Sequence, residues 1–265
     1  MKKILCLIFA LILTASCATL TTTKQDPVLI PEFMETQFGL QTVIQVELKY
    51  RAYPDNRVQD YVKKMGQALV PFCERPGLKY NFKVVDSKEI NAFAVPGGFV
   101  YVTSALIKNM DDEAQLACVI GHEIGHIARY HSVKQLQRSL VAQYGISVLE
   151  NMLGSGDKTE IAKMAAGLGL NFLFLKNSRE NEFEADEQGA FVAAKAGYDP
   201  LAMVDVQNHL LKLRGAKPTQ LEQMLSTHPI SEERIEHVNS YIKSAGLSAS
   251  GRNKEAYAAL KAAIK

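Results

Sequence analysis

The run Gly-His-Glu-Ile-Gly-His-Ile-Ala-Arg-Tyr-His at residues 121–131 constrains this chain more than any other stretch. His122 and His126 are spaced so that, on a helix, their side chains stand one turn above each other on one face. Two neutral imidazoles placed that way can share a metal ion, and zinc accepts such ligands. Glu123 projects about 100° round the helix from His122. It therefore lies beside the ion, where a carboxylate can take a proton from an attacking water. This H-E-x-x-H spacing serves zinc-dependent hydrolysis, with Glu123 as general base. Taken alone, the motif also fits two histidines packed on an amphipathic helix.

The spacing excludes one zinc class. A third histidine six positions after the second, preceded by a glycine, is absent, because those positions hold Ser132 and Arg129. His131 would lie about 140° round a continuous helix from His126, so it is expected to be structural. A third ligand must come from elsewhere. Asn181-Glu182-Phe183-Glu184-Ala185-Asp186 offers Glu182 and Asp186 at helical spacing. Glu182 can bind zinc while Asp186 orients a ligand imidazole. Glu184 should face elsewhere. A solvated acidic helix face would have the same pattern.

The scaffold reads as follows. A helix is expected over Glu32–Ala52, interrupted by Tyr53-Pro54-Asp55. A second starts at Asn56, with Gln59 completing a capping box, and carries Val58, Tyr61, Val62, Met65 and Leu69 at helical spacing. Tyr80, Phe82 and Val84 alternate with polar residues as in a half-buried strand. Asn91 to Thr103 reads as two extended runs parted by Gly97-Gly98. Pro96 cannot donate to a ladder, which puts its run at a sheet edge. The segment Asn91, Ala92, Phe93, Ala94 could then pair with an extended peptide by strand addition; an ordinary core hairpin is the other reading. Asp111, Asp112 and Gln115 start the site helix, expected to run past Tyr130. Gly121 and Gly125 inside it imply close backbone packing. Leu140–Leu153 and Ile161–Leu175 are apolar but short and polar-interrupted. They read as buried or domain-packing helices, or as a membrane-facing or gating hairpin, with a loop at Gly154-Ser155-Gly156. Further helices should start at Pro200, Ser231 and Asn253.

Four segments in order resemble the zinc metallopeptidase family that includes HtpX and the CAAX prenyl endopeptidases, most closely its soluble bacterial periplasmic and lipoprotein members. They are Asn91–Thr103 with its N-A-F-A-x-P-G-G pattern, Gly121–His131, Glu182–Asp186, and Ser226-Thr227-His228-Pro229 with Arg234-Ile235. The resemblance implies a gluzincin-type α+β fold, mainly helical, with a small antiparallel sheet edging the cleft. It implies one zinc per chain, held by His122, His126 and Glu182, with Glu123 as base. It also places His228 near the site, either donating to the developing oxyanion or binding zinc directly and holding the enzyme off. A histidine merely packed before Pro229 is the third possibility. Arg234 could supply a second cationic contact to the oxyanion. The long transmembrane helices of the family's membrane branches have no counterpart.

The N-terminus carries its own signals. Lys2 and Lys3 precede the apolar run Ile4–Leu13, of signal-peptide length. Leu13-Thr14-Ala15-Ser16-Cys17 resembles a bacterial lipobox, with Thr14 where such motifs usually hold Leu; ordinary signal cleavage nearby is the alternative. The expected organisation is a lipoprotein-type signal over residues 1–16, lipidation at Cys17, a tether over 17–31 and one metallopeptidase domain over 32–265. The absence of Asp after Cys17 favours the periplasmic face of the outer membrane in a Gram-negative host. The chain has 30 basic and 28 acidic residues. Since Lys2 and Lys3 are the only charges before Cys17, the mature chain is neutral and has no nucleic-acid-binding stripe. Cys73 and Cys118 could pair, but make no disulfide framework. The expected function is zinc-dependent endopeptidase action on unfolded or misassembled envelope polypeptides, with envelope assembly machinery as a candidate partner. A zinc-stabilised chaperone or assembly factor with little proteolysis is the alternative.

Overall fold

The computed structural model describes residues 27–147, 151, 154 and 157–264. The signal, lipobox and most of the tether therefore lie outside the described residues, as do Ser155 and Gly156 of the loop expected after Leu153. Helix α1 spans Glu32–Lys49 and α2 spans Asn56–Leu69. The cap of α2 is Asp55, whose carboxylate accepts from Arg57 N. Gln59 completes no capping box; it reaches sideways and bonds the backbone of Tyr53 and Val84. Val58, Val62, Met65 and Leu69 form the buried stripe of α2, as their spacing requires.

Strands β1 (Asn81–Val85), β2 (Ala92–Val95) and β3 (Phe99–Thr103) form one sheet in the order β1-β3-β2. β2 pairs antiparallel with β3 as a hairpin, but β1 pairs parallel with β3. The sheet is thus mixed, not wholly antiparallel. Residues 86–91 carry the chain past the slot that β3 fills. They are fixed there by Asn91 N donating to Thr103 Oγ1, and by Ile90 N donating to the Gln220 carbonyl. The hairpin turns on Gly97 and Gly98, with φ of 83° and 94°. A Cβ on Gly98 would stand 2.5 Å from the Lys79 carbonyl oxygen, so that position admits no side chain.

Side chains alternate between two cores. Ala92, Ala94, Val100 and Val102 face a cluster with α2 and the central helix α4 (Glu113–Ala128). Phe93, Val95 and Tyr101 face a second cluster with α1, α5 (His131–Tyr144) and α6 (Lys158–Leu168). Because both faces are covered, β2 and all of β3 but Phe99 are buried, whereas β1 leaves Asn81 exposed and Lys83 half-buried. A short α3 (Ser104–Asn109) links β3 to α4. Beyond a 3₁₀ turn at Asn171–Phe174 come α7 (Arg179–Lys195), α8 (Ala202–Ala216), α9 (Pro218–Thr227), α10 (Glu232–Ser244) and α11 (Lys254–Ala262). A third cluster joins α4 to α7, α8 and α10. Cys73 and Cys118 are buried and unpaired. Among the described residues, no helix is long and apolar enough to cross a membrane.

Candidate metal centre

Helix α4 is the axis of the molecule: every residue from Ala114 to Ala128 is buried. Its start is fixed by Asp112, whose carboxylate accepts from Gln115 N. The helix ends at Ala128, short of the expected extension past Tyr130. Helix α7 lies against it at a spacing only glycine permits: a Cβ on Gly189 would meet His122 N and the Cys118 carbonyl at 2.9 Å. This close crossing carries Glu182 and Asp186 to the two histidines of α4. Pro229 ends α9, so His228 sits at the junction between α9 and α10, and Asn177 N donates to the Thr227 carbonyl to tie that junction to the start of α7.

His122, His126, Glu182 and His228 are all buried, and one ligand atom from each lies within 4.8 Å of the others. His122 Nε2 is 3.0 Å from His126 Nε2 and 3.3 Å from His228 Nδ1. Glu182 Oε1 is 3.0 Å from His228 Nδ1 and 3.4 Å from His126 Nε2. The edge of a tetrahedron with metal–ligand bonds of about 2.0–2.1 Å is roughly 3.3 Å, so the donor set has the dimensions of a zinc site.

The protons decide what the set can hold. His122 Nδ1 is 2.9 Å from Asp186 Oδ1, so it carries the ring's proton and leaves Nε2 bare. His126 Nδ1 is likewise engaged, at 2.9 Å from His131 Nδ1, and burial holds the His126 pKa well below its ordinary value. Two bare lone pairs 3.0 Å apart, beside a buried carboxylate, repel one another unless a cation lies between them. Burial pushes Glu182 up, but the charges of His228 and Arg234 outweigh it and hold the carboxyl well below the usual range. Burial would lower His228, yet Glu182 and Glu123 hold it above its ordinary value. The centre is built to attract positive charge.

Glu123 lies beside this set. Its Oε1 is 3.8 Å from His228 Nε2, and its buried Oε2 has no hydrogen-bond partner among the described residues. Burial raises its pKa, opposed by His228 and His122. Arg234 is buried and engaged with the acids of α7. Its guanidinium grips both oxygens of Asp186, at 2.9 and 2.7 Å, reaches Glu182 at 2.6 Å, and donates to the Pro229 carbonyl. It braces the two acids. Gln207 adds a bond to Asp186 at 2.7 Å, which the sequence reading did not anticipate. His131, expected to be structural, touches His126 at 2.9 Å and bonds Glu184, expected to face elsewhere, at 3.1 Å.

β2 lies at the edge of the sheet, and Asn91 and all four of its residues are buried. Phe93 lies against Tyr101, Tyr50 and Phe174 of the 3₁₀ turn, with ring centroids 5.2, 5.8 and 5.9 Å apart. Behind Glu123 and His228 is a cavity of about 30 Å³ lined by Val119, Met203, Val206, Leu210, Met224 and Ile230. It has room for a water, not a side chain.

Residues 56–242 match the model of peptidase family M48. The chain is 30% identical over 208 residues to the beta-barrel assembly-enhancing protease of Escherichia coli K12, covering 76% of this chain and 42% of that protein. It is 32% identical over 180 residues to the mitochondrial metalloendopeptidase OMA1 of Arabidopsis thaliana, covering 68% and 35% respectively. The metalloprotease YcaL of Escherichia coli K12 is 28% identical over 197 residues, covering 71% of this chain and 74% of that protein. The chain thus spans less than half the length of the first two. With the H-E-x-x-H helix, the glutamate of α7 and the family model agreeing over most of the chain, this protein belongs to peptidase family M48.

Proposed function

We propose that this chain is a zinc-dependent endopeptidase of the bacterial envelope that hydrolyses unfolded or misassembled polypeptides and rests in a closed form. The observation that carries the reading is the pair of bare Nε2 atoms of His122 and His126, facing each other across 3.0 Å beside the Glu182 carboxylate. Zinc held by His122, His126 and Glu182 would polarise a peptide carbonyl and make water acidic enough to ionise near neutral pH. Glu123, with its unpartnered oxygen, accepts the proton of the attacking water and passes it to the leaving amine. Asp186 fixes the His122 tautomer, and Arg234 balances the charge of Asp186 and Glu182.

His228 is the resting-state fourth ligand in this reading. Its presence in the donor set, the covered β2 edge and the narrow cavity behind Glu123 all fit a site closed to peptide. Opening would withdraw His228, free the edge of Asn91–Ala94 for strand addition, and widen the cavity for an apolar side chain next to the scissile bond. The name of one relative, a beta-barrel assembly-enhancing protease, supports assembly machinery as partner. The lipobox-like segment supports lipidation at Cys17 and the outer membrane as the place of action; Cys17→Ser should then release the protein from membranes.

The test is metal analysis of the purified chain with a cleavage assay on unfolded casein. One zinc per chain and cleavage stopped by a chelator are expected. A chain that binds no zinc at micromolar concentrations would sink the reading.

A further inference from the structure

The corner between α4 and α5 is strained. Tyr130 takes φ 61° and ψ 21°, a left-handed conformation that costs a tyrosine about 1 kcal/mol. Among the described residues only Asn253 otherwise combines a side chain with positive φ. Strain of this kind persists where the surroundings over-determine it, and here they do. The Arg75 guanidinium lies 4.0 Å from the Tyr130 ring centroid. It also donates to the Ile127 carbonyl at the end of α4, and pairs at 3.0 Å with the buried Glu35 of α1.

The corner turns His131 back towards α4. An unbroken helix would carry it about 140° away from His126. Instead His131 is 1% exposed, with Nδ1 2.9 Å from His126 Nδ1 and Nε2 3.1 Å from Glu184 Oε2. A carboxylate only accepts, so the Nε2–H of His131 donates to Glu184. That leaves His131 Nδ1 as a lone pair, able only to accept from the Nδ1–H of His126. The His126 proton is thereby confined to the far side of the ring, and its Nε2 must be bare.

We propose that His131 is a positioning residue, which together with Glu184 fixes the tautomer and aim of His126 and so sets the affinity of the centre for zinc. Helix α7 then supplies both ends of the arrangement, Glu182 to the donor set and Glu184 behind it. This rests on the reading of His126 as a zinc ligand. Partners of metal-bound imidazoles of this kind are typically worth about 10–100-fold in metal affinity.

The test is the zinc dissociation constant of the full chain, measured by competition against a chelating dye, with the melting temperature of the zinc-free protein as control. His131→Ala should weaken zinc binding about 10–100-fold. His131→Asn should retain near-wild-type affinity, because its side-chain oxygen can accept where Nδ1 does. A purely packing role would make the two variants equally harmful, and that result would overturn the proposal. Glu184→Ala, at a partly exposed position, guards against misfolding of the core variant, and should weaken zinc in the same direction but less. Wild-type chain that binds no zinc would overturn both this and the metal reading. Wild-type binding retained in full by His131→Ala and Glu184→Ala would overturn the positioning role alone.

Discussion

Glu123 and His228 face each other at 3.8 Å, and their exchange for neutral or absent side chains separates chemistry from gating. Glu123→Gln keeps the shape of the side chain but cannot take a proton. It should keep its zinc and its fold while cleavage falls by about 10²-fold or more. The same variant distinguishes protease from assembly factor, because an assembly role would survive it. Near-wild-type cleavage of unfolded casein by Glu123→Gln would refute the assigned base. His228→Ala has two opposed outcomes. If His228 is the resting ligand, its loss opens a position at the metal, and cleavage should be faster than wild type. An oxyanion donor would instead lose about 10²-fold or more in rate. The short contacts of His228 with Glu182 and His122 favour the faster variant. An unchanged rate with full zinc would leave only a packing role.

At the scale of elements, the α4–α7 crossing holds the donor set together, and Gly189 is its pivot. Alanine in a helix interior is worth up to about 1 kcal/mol over glycine, so propensity alone predicts that Gly189→Ala stabilises. The added Cβ would meet backbone of α4 at 2.9 Å and Met203 Cε at 2.5 Å. Overpacking of this kind costs about 1–3 kcal/mol, and backbone cannot step aside as a side chain can. Urea denaturation should therefore show a net loss for Gly189→Ala, accompanied by weaker zinc binding. Gly215→Ala in α8, where a Cβ meets nothing within 4 Å, should be neutral or mildly stabilising. A gain in stability at Gly189 would mean the helices are free to part.

The same elements show where sequence stops being informative. The i,i+4 spacings of His122 with His126, and of Glu182 with Asp186, survive into the structure because helical geometry alone sets them. The Gly97-Gly98 turn and the cap at Asp112 were equally local. The parallel pairing of β1 was not legible, since strand order depends on which slot β3 fills. Helix α9 has Pro218 at its first turn but no side-chain cap to mark its start. Unbroken helical spacing turns His131 about 140° from His126, and nothing between Ala128 and His131 announces the break. Tyr130 is held in its conformation by Arg75, more than fifty residues upstream.

For the whole molecule, the centre is the point where α4, α7 and the α9–α10 junction meet. Without a cation, the buried carboxylates of Glu182 and Asp186 are balanced, among the described residues, by Arg234 and the histidines alone. Zinc bound to the native state alone stabilises by RT ln(1 + [Zn]/Kd), or about 4.1 kcal/mol when free zinc is 1,000 times Kd. A domain of this size shifts by about 2–4 °C per kcal/mol. Removing zinc with a chelator should then lower the melting temperature by roughly 8–16 °C, and added zinc should restore it. The loss should be local in origin. Hydrogen exchange of the zinc-free chain should quicken first at residues 226–234 and in the first turn of α7, which the Asn177 N–H to Thr227 carbonyl bond ties together. The β1–β3 ladder, backed by two hydrophobic clusters, should keep its protection. A melting temperature unmoved by chelation, in protein shown to have lost its metal, would mean that the histidines and acids are balanced without zinc, and that the ion does not hold the native centre together.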